Sequence, residues 1–548
     1  MSRYSSSIEL PDEGDNIIRT KNLDVEINPN GLAHEIYLGL KKNKDVIGQI
    51  EADSGKSETY WKVLERSIRL AINLKKRGVT PNDIIAPCTT NHLNNSVLLF
   101  GILFTGAKPA WLDAFAPYDQ ILKQVQLVEP KFIFAEPQNV DVLEEIVTKL
   151  NLKTTIVLLG NSEKFISFEK KFLVPHPNEE LNFTPYLTND LFETAFIIFS
   201  SGTTGAPKGI CLNHFGFLTY LNITQSNKTT ENITTLSYVL LVAFSGVFLT
   251  CLSAILGRTM LLSSHFDSKN TWIYLQKYNV TYCFLAPYNF ISFIKSQKPN
   301  DVELKHLKVL AYAGGAVPPE YILKARQLFP NVFIVSAYTQ SELCGFGLVP
   351  ETSMEGIKTY LSKPAMAGKP VKGLTYKIVN PETEEILGPN QKGELRIKCN
   401  VMMNGYHKEL NKNYLDADGF LKTGDVMYYD DDHCFFFIER VSELLWYQIY
   451  PISPSEIESV LLQHPSVKIA VVIGIPSEDG DLPAAIVVKN NDNVTEEDLK
   501  VLVAQKLEDR KKLRGGVFFV EDNQISFTAS GKIKRKVLKD MILAKFCN

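Results

Sequence analysis

Along most of this chain, short apolar runs alternate with longer segments whose apolar positions recur at helical spacing. From residue 57 to residue 370 the runs, among them LKVLAYAGG and NVFIVSAY, carry almost no charge, as strands buried on both faces do. The helix-like stretches between them predict βα units with mostly parallel strands, so the bulk of the chain is expected to be α/β. Between residues 372 and 437 the runs shorten and turns crowd in, as in PETEEILGPNQKGELRIK and YDDDHCFFFIER, which predicts antiparallel strands or a small β-barrel. After Arg440 a helical pattern restarts in SPSEIESVLLQHP, with Ser453 or Ser455 placed to cap it, followed by the strands IAVVIGIP and AAIVVK and the helix TEEDLKVLVAQKL. A small α+β unit therefore closes the chain, with a boundary near 438–442. At 548 residues the chain is in any case too long for a single core.

Residues 237–257 carry no charge over a length that could cross a bilayer. The β-branched run SYVLLVAF, interrupted by Ser245 and Gly246 before a helix-like half, instead predicts a buried strand, loop and helix. A net charge of -3 gives no basic excess for nucleic acid or anionic membrane. The basic run Lys532, Lys534, Arg535, Lys536 and Lys539 reads as a solvated helix face except at Lys532. The eight cysteines show no metal-like spacing, which predicts free buried thiols. The N-terminal stretch has no apolar signal core and the last residues are not of the Ser-Lys-Leu type, so a cytoplasmic place is expected.

The most informative segment follows the apolar run AFIIF: Ser200, Ser201, Gly202, Thr203, Thr204, Gly205, Ala206, Pro207, Lys208 and Gly209. Glycines that free the backbone, hydroxyls and one ammonium make a loop able to wrap an anion, and phosphate is the natural guest. Lys208 is followed by Gly209 rather than Ser or Thr, so this is not a Walker-type P-loop.

The segment resembles the signature loop of the adenylate-forming superfamily, which includes acyl-CoA synthetases, coumarate ligases and beetle luciferases. The similarity extends over nearly the whole chain and is closest to the beetle luciferase and insect acyl-CoA synthetase branch, as in LLQHPSV and KKLRGGVFFV. It implies ATP and Mg²⁺ as cofactors, a small carboxylic acid as substrate, and an acyl-AMP product with release of pyrophosphate. It also implies an N-terminal adenylation domain over 1–438, a hinge at 439–442 and a mobile C-terminal lid over 443–548. In the resemblance, Ala313, Gly314, Gly315 and Ala316 form a turn against adenine. Ala337, Tyr338, Thr339, Gln340, Ser341 and Glu342 match the segment in which the aromatic stacks on adenine, the hydroxyl of Ser341 meets the α-phosphate and Glu342 holds Mg²⁺. Asp425, in Thr423-Gly424-Asp425, would receive the ribose hydroxyls, with Arg440 as the second ribose contact. Lys532, in Thr528-Ala529-Ser530-Gly531-Lys532, would stabilise the charge that builds as a carboxylate attacks ATP, which makes it the strongest catalytic candidate with Ser341 and Glu342.

Two stretches depart from the family. In the acyl pocket, expected from Phe244, Ser245, Gly246, Phe248 and Tyr312, a histidine position reads as Gly246, which predicts a larger pocket. Past the hinge, the lysine- and glycine-rich turn that serves thioester formation has become Leu445-Trp446-Tyr447-Gln448-Ile449-Tyr450, and a branched Ile449 cannot replace glycine where φ is positive. That change counts against CoA as a partner. Three readings stay open: an acyl-CoA ligase, a luciferase-type monooxygenase acting on an adenylated luciferin, and a nucleotide- or acyl-binding relative without turnover. Retention of Lys208, Glu342, Asp425, Arg440 and Lys532 counts against the last.

Overall fold

A computed structural model describes residues 8–9, 15–200, 207–225, 233–409, 413–448, 450–527 and 533–546. The apolar runs of the first two thirds form two parallel sheets. In one, Phe333–Gln340, Val309–Ala313, Tyr282–Leu285, Thr234–Ser237, Thr259–Leu262 and Ile47–Glu51 lie side by side. In the other, Lys108–Pro109, Ile84–Cys88, Phe132–Ala135, Thr155–Leu158 and Ile166–Ser167 do the same. Helices cover these sheets, as strands apolar on both faces require. The hairpin of Thr194–Phe199 and Gly209–Asn213 forms a separate two-stranded sheet, and the phosphate-loop candidate connects its strands.

Two expectations change here. The run SYVLLVAF is not a strand. The strand lies earlier, at Thr234–Ser237, and residues 238–243 are loop and turn. The helix then begins at Phe244 and continues to Leu256, so Ser245 and Gly246 are inside it rather than interrupting it. Gly246 is tolerated there because a Cβ would collide with the Leu240 carbonyl, and glycine permits the close approach. Among the described residues no helix is long and apolar enough to cross a membrane.

The strands between 366 and 440 are antiparallel, but among the described residues no pairing closes them into a barrel. Met366–Pro370 pairs with Gly345–Val349 and with Phe435–Arg440, which joins this region to the parallel sheet. Leu374–Val379 instead pairs with Gly393–Cys399 and with Ile18–Thr20 from the start of the chain. The N-terminal strand occupies the edge that a closing strand would need.

After Arg440 a separate five-stranded sheet forms from Leu445–Tyr447, Tyr450–Ile452, Val467–Ser477, Gly480–Lys489 and Val517–Phe519. Pro454–Leu461 and Glu496–Lys506 share an apolar cluster with it, and Arg535–Phe546 belongs to a second cluster. Glu496–Lys506 starts on a Thr495–Asp498 capping box, an arrangement that contributes about 1 kcal/mol. Pro454–Leu461 is not capped by Ser453 or Ser455. Glu439, at the end of the preceding strand, accepts from Ser455 N at 2.9 Å and from Ser453 Oγ at 3.2 Å. Nor is Arg535 part of a solvated face: it pairs with Glu443 at 3.2 Å and with Glu458, and donates to Val472 O at 3.1 Å. This C-terminal unit rests on the body through a few directed contacts. Lys295 Nζ donates to Val467 O at 3.2 Å and Lys468 O at 3.1 Å, and Phe527 lies 4.4 Å from Tyr288, ring to ring.

Candidate active site

The C-terminal ends of Tyr282–Leu285, Val309–Ala313 and Phe333–Gln340 open onto a cavity of about 610 Å³. Crevices at this end of parallel strands are where ligands bind in such folds. Phe333, Val335, Ser336, Ala337, Thr339 and Gln340 of the last strand line it, whereas Tyr338 does not.

Part of the cavity lining is polar. Ser200 and Lys208 close the base of the phosphate-loop candidate, with Ser200 N donating to Lys208 O at 2.8 Å and Lys208 N to Ser200 Oγ at 3.3 Å. Ser201, Gly202, Thr203, Thr204 and Gly205 lie outside the described residues. The Lys208 ammonium sits over the Tyr406 ring, 4.6 Å from its centre, and 3.8 Å from Glu409. Ser341 and Glu342 fall on a single 3-10 turn at the end of Phe333–Gln340, and both line the cavity. Glu342 accepts from Tyr406 Oη at 3.1 Å through Oε1. Of the glycine turn, Ala313 and Gly314 (φ +98°) reach the cavity, while Gly315 and Ala316 are exposed beside it.

Asp425 and Arg440, separated along the chain, stand directly opposite each other on paired antiparallel strands, where cross-strand partners meet. Arg440 Nε is 2.9 Å from Asp425 Oδ1, and Asp425 is buried. Oδ2 accepts from Tyr338 Oη at 2.6 Å and from Gln340 Nε2 at 2.9 Å. Oδ1 keeps its ionic contact but receives no well-directed hydrogen bond, which leaves a buried acceptor suited to a hydroxyl. Burial and the adjacent Asp425 push the Tyr338 phenol well above its usual range, so it keeps its proton and donates. The Tyr338 ring packs at the Gly347 strand on one side and its hydroxyl braces Asp425.

The cavity is also lined by apolar residues. Phe244, Ser245, Phe248 and Tyr312 line it as expected, joined by Leu249 and Phe284. Gly246 is the exception, because it faces Leu240 and not the cavity, so it enlarges no acyl pocket.

Lys532 lies outside the described residues. Its described flanks, Phe527 and Ile533, form an antiparallel bridge, and Phe527 is on Tyr288, next to the cavity-lining Ala286 by way of the helix Pro287–Lys295. No residue of the hairpin Leu445–Tyr447 and Tyr450–Ile452 lines the cavity. Among the described residues no cluster of three or more metal-ligating side chains occurs. A lone carboxylate such as Glu342 fits Mg²⁺, which keeps waters and takes phosphate oxygens alongside few protein ligands. Tyr406 and Gln340 escaped the sequence reading. Gln340 stands inside the quoted motif, whereas nothing local marks Tyr406.

Residues 40–407 match the AMP-binding enzyme family and residues 456–532 match the C-terminal domain of AMP-binding enzymes, and the chain belongs to this family of acid-activating, adenylate-forming enzymes. It is 31% identical over 530 residues to the luciferin 4-monooxygenase of Photuris pensylvanica, covering 92% of this chain and 94% of that protein. It is 28% identical over 542 residues to 4-coumarate–CoA ligase 1 of Petroselinum crispum, covering 96% and 97%. The solved luciferase-like enzyme from the nonluminescent Zophobas morio mealworm is 32% identical with a TM-score of 0.73, over 78% of this chain and 99% of that one.

Proposed function

We propose that this enzyme adenylates a carboxylic acid with an apolar body and passes the acyl group to CoA, as an acyl-CoA ligase does. The observation that carries the reading is a single cavity lined both by the charged Lys208, Glu342 and Arg440 and by the apolar Phe244, Phe248, Leu249 and Phe284. On this reading the β- and γ-phosphates lie at the Ser200–Lys208 loop, and the ribose hydroxyls meet Asp425 and Arg440. Adenine lies by Gly314, Gly315, Ala316 and Ala337, and the α-phosphate meets Ser341. Glu342 would hold Mg²⁺, which when bound neutralises phosphate charge. The carboxylate of the acid, its body among the apolar residues, attacks the α-phosphorus in line and displaces pyrophosphate as the α–β phosphoanhydride bond breaks, with Lys532 stabilising the charge that develops on the phosphoryl oxygens. The CoA thiolate then attacks the acyl carbon and displaces AMP. Residues 439–442 act as the hinge between body and lid. The contact of Phe527 with Tyr288 supports a C-terminal unit docked beside the cavity for this first step.

A specific feature favours a second reading, the luciferase-type oxidation of an adenylate. In the lid turn Gln448 has φ +54°, and Ile449, outside the described residues, stands where the family carries glycine, so delivery of this turn for thioester formation is impaired. Mixing the protein with ATP, Mg²⁺ and fatty, aromatic and luciferin-like acids, with and without CoA, separates the two. Acyl-CoA after pyrophosphate release supports the first reading, and light without CoA supports the second. Absence of pyrophosphate with every acid of the panel overturns both.

A further inference from the structure

We propose that Tyr406 is a positioning residue for adenylation, holding Glu342 by its hydroxyl and Lys208 by its ring so that the metal-binding carboxylate and the phosphate-binding ammonium keep one fixed spacing. The proposal rests on the reading of this corner as the nucleotide site. The hydroxyl donates to Glu342 Oε1 at 3.1 Å, leaving Oε2 for a cation, and the Lys208 ammonium lies 4.6 Å from the ring centre. Burial and Glu342 raise the phenol's pKa, so the hydroxyl stays a donor.

The backbone around Tyr406 is built to keep it there. Cys211 N donates to Gly405 O at 3.0 Å, Asn404 N to Cys211 O at 2.9 Å and His407 N to Gly209 O at 2.6 Å. These bonds stitch the segment to Gly209–Asn213, the strand that leaves the phosphate loop. On the other side Met403 N donates to Glu342 O at 2.9 Å. Gly405, at φ +108°, turns the chain between these two sets of contacts, and Tyr414 meets the Tyr406 ring edge-on at 5.3 Å. Tyr406 therefore touches both Glu342 and Lys208, which stand next to strands of different sheets.

The test compares wild type, Tyr406→Phe and Tyr406→Leu by equilibrium binding of ATP over a range of Mg²⁺ concentrations, with melting temperature as the check on folding. Tyr406→Phe keeps the ring, so its affinity for ATP without Mg²⁺ stays at the wild-type value. Loss of one charge-assisted hydrogen bond raises its half-saturating Mg²⁺ concentration about tenfold. Tyr406→Leu shows the same Mg²⁺ shift and also binds metal-free ATP about threefold more weakly. Should Tyr406→Leu not fold, Glu342→Gln replaces it, and adding Tyr406→Phe to that variant shifts the Mg²⁺ dependence no further. A wild-type Mg²⁺ dependence in Tyr406→Phe overturns the proposal while leaving the nucleotide site intact. Failure of the wild type to bind ATP overturns the site reading itself.

Discussion

The nucleotide corner of the body and the hairpin of the lid are both assembled from aromatic and charged residues, yet they are built in opposite ways. In the corner each charge is braced from a distant part of the chain: Asp425 by Tyr338, Gln340 and Arg440, and Glu342 by Tyr406. In the hairpin, Trp446 and Tyr450 are exposed, Arg510 and Arg514 lie over Tyr450 and Tyr447 at 4.0 and 5.2 Å, and those arginines pair with their own neighbours Glu508 and Asp509. Preorganised charge is what a phosphoryl-transfer site needs, because reorganising it during reaction would cost the barrier it is meant to lower. The hairpin is held instead through its backbone and rings, with Trp446 N donating to Asp481 Oδ2 at 3.2 Å and Gln448 N to Asp479 O at 2.6 Å, while Trp446 and Tyr450 face outward. The difference teaches that the corner fixes its charged side chains, whereas the hairpin fixes chiefly its main chain.

The strongest way to break that contrast is Asp425→Ala. It would leave Arg440 without its ion-pair partner and the Tyr338 hydroxyl without the carboxylate it donates to, while Gln340 keeps its bond to Thr423 O, at a cost of about 3–5 kcal/mol. Thermal unfolding and ATP affinity should both fall, and a variant that melts and binds as wild type would show the corner to be less interdependent than its bonds suggest. Lys532→Ala should lower single-turnover pyrophosphate release by roughly 10²–10³ with little change in melting. Full release would remove Lys532 from the mechanism.

On the hairpin side, Gln448→Lys combined with Ile449→Gly restores the residue types that the family turn carries. Acyl-CoA formation should rise about tenfold, one 1.4 kcal/mol step, with pyrophosphate release unchanged, and no rise would show that the turn does not limit thioester formation. The smallest effect concerns Lys295, which joins the two regions. Burial, reinforced by Lys324, lowers its pKa to about 8 from an ordinary 10.5. Docking the lid therefore disfavours the charged form: below pH 8 the cost is fully present, and it is relieved as pH rises toward 10.5. Proteolytic cleavage at residues 439–443 should slow several-fold between pH 8 and 10 in the wild type relative to Lys295→Met. Parallel pH profiles for the two proteins would exclude Lys295 as a titrating latch.

The features legible along the chain were those in which neighbouring residues act together. The Ser200–Lys208 loop after a buried strand, the Ser341–Glu342 pair after another, and the parallel βα body all follow from local pattern, because strand burial and turn chemistry are written within a few residues. SYVLLVAF misled for the complementary reason: a β-branched run satisfies a strand pattern, but here it forms the loop leading into Phe244–Leu256, whose Gly246 approaches the Leu240 carbonyl. The helix cap was misread likewise, since Glu439 supplies it from the neighbouring strand.

By itself, then, the sequence determined the family, the adenylation chemistry and several of the residues that line the cavity. Only the tertiary structure decided that Asp425 and Arg440 face each other in register, that Tyr338 braces Asp425 instead of lining the cavity, and that Tyr406 links Glu342 to Lys208. The Tyr338 and Tyr406 contacts join segments far apart in the chain, the Asp425–Arg440 pair is set by the register of two consecutive strands, and in neither case does local pattern say which side chains meet.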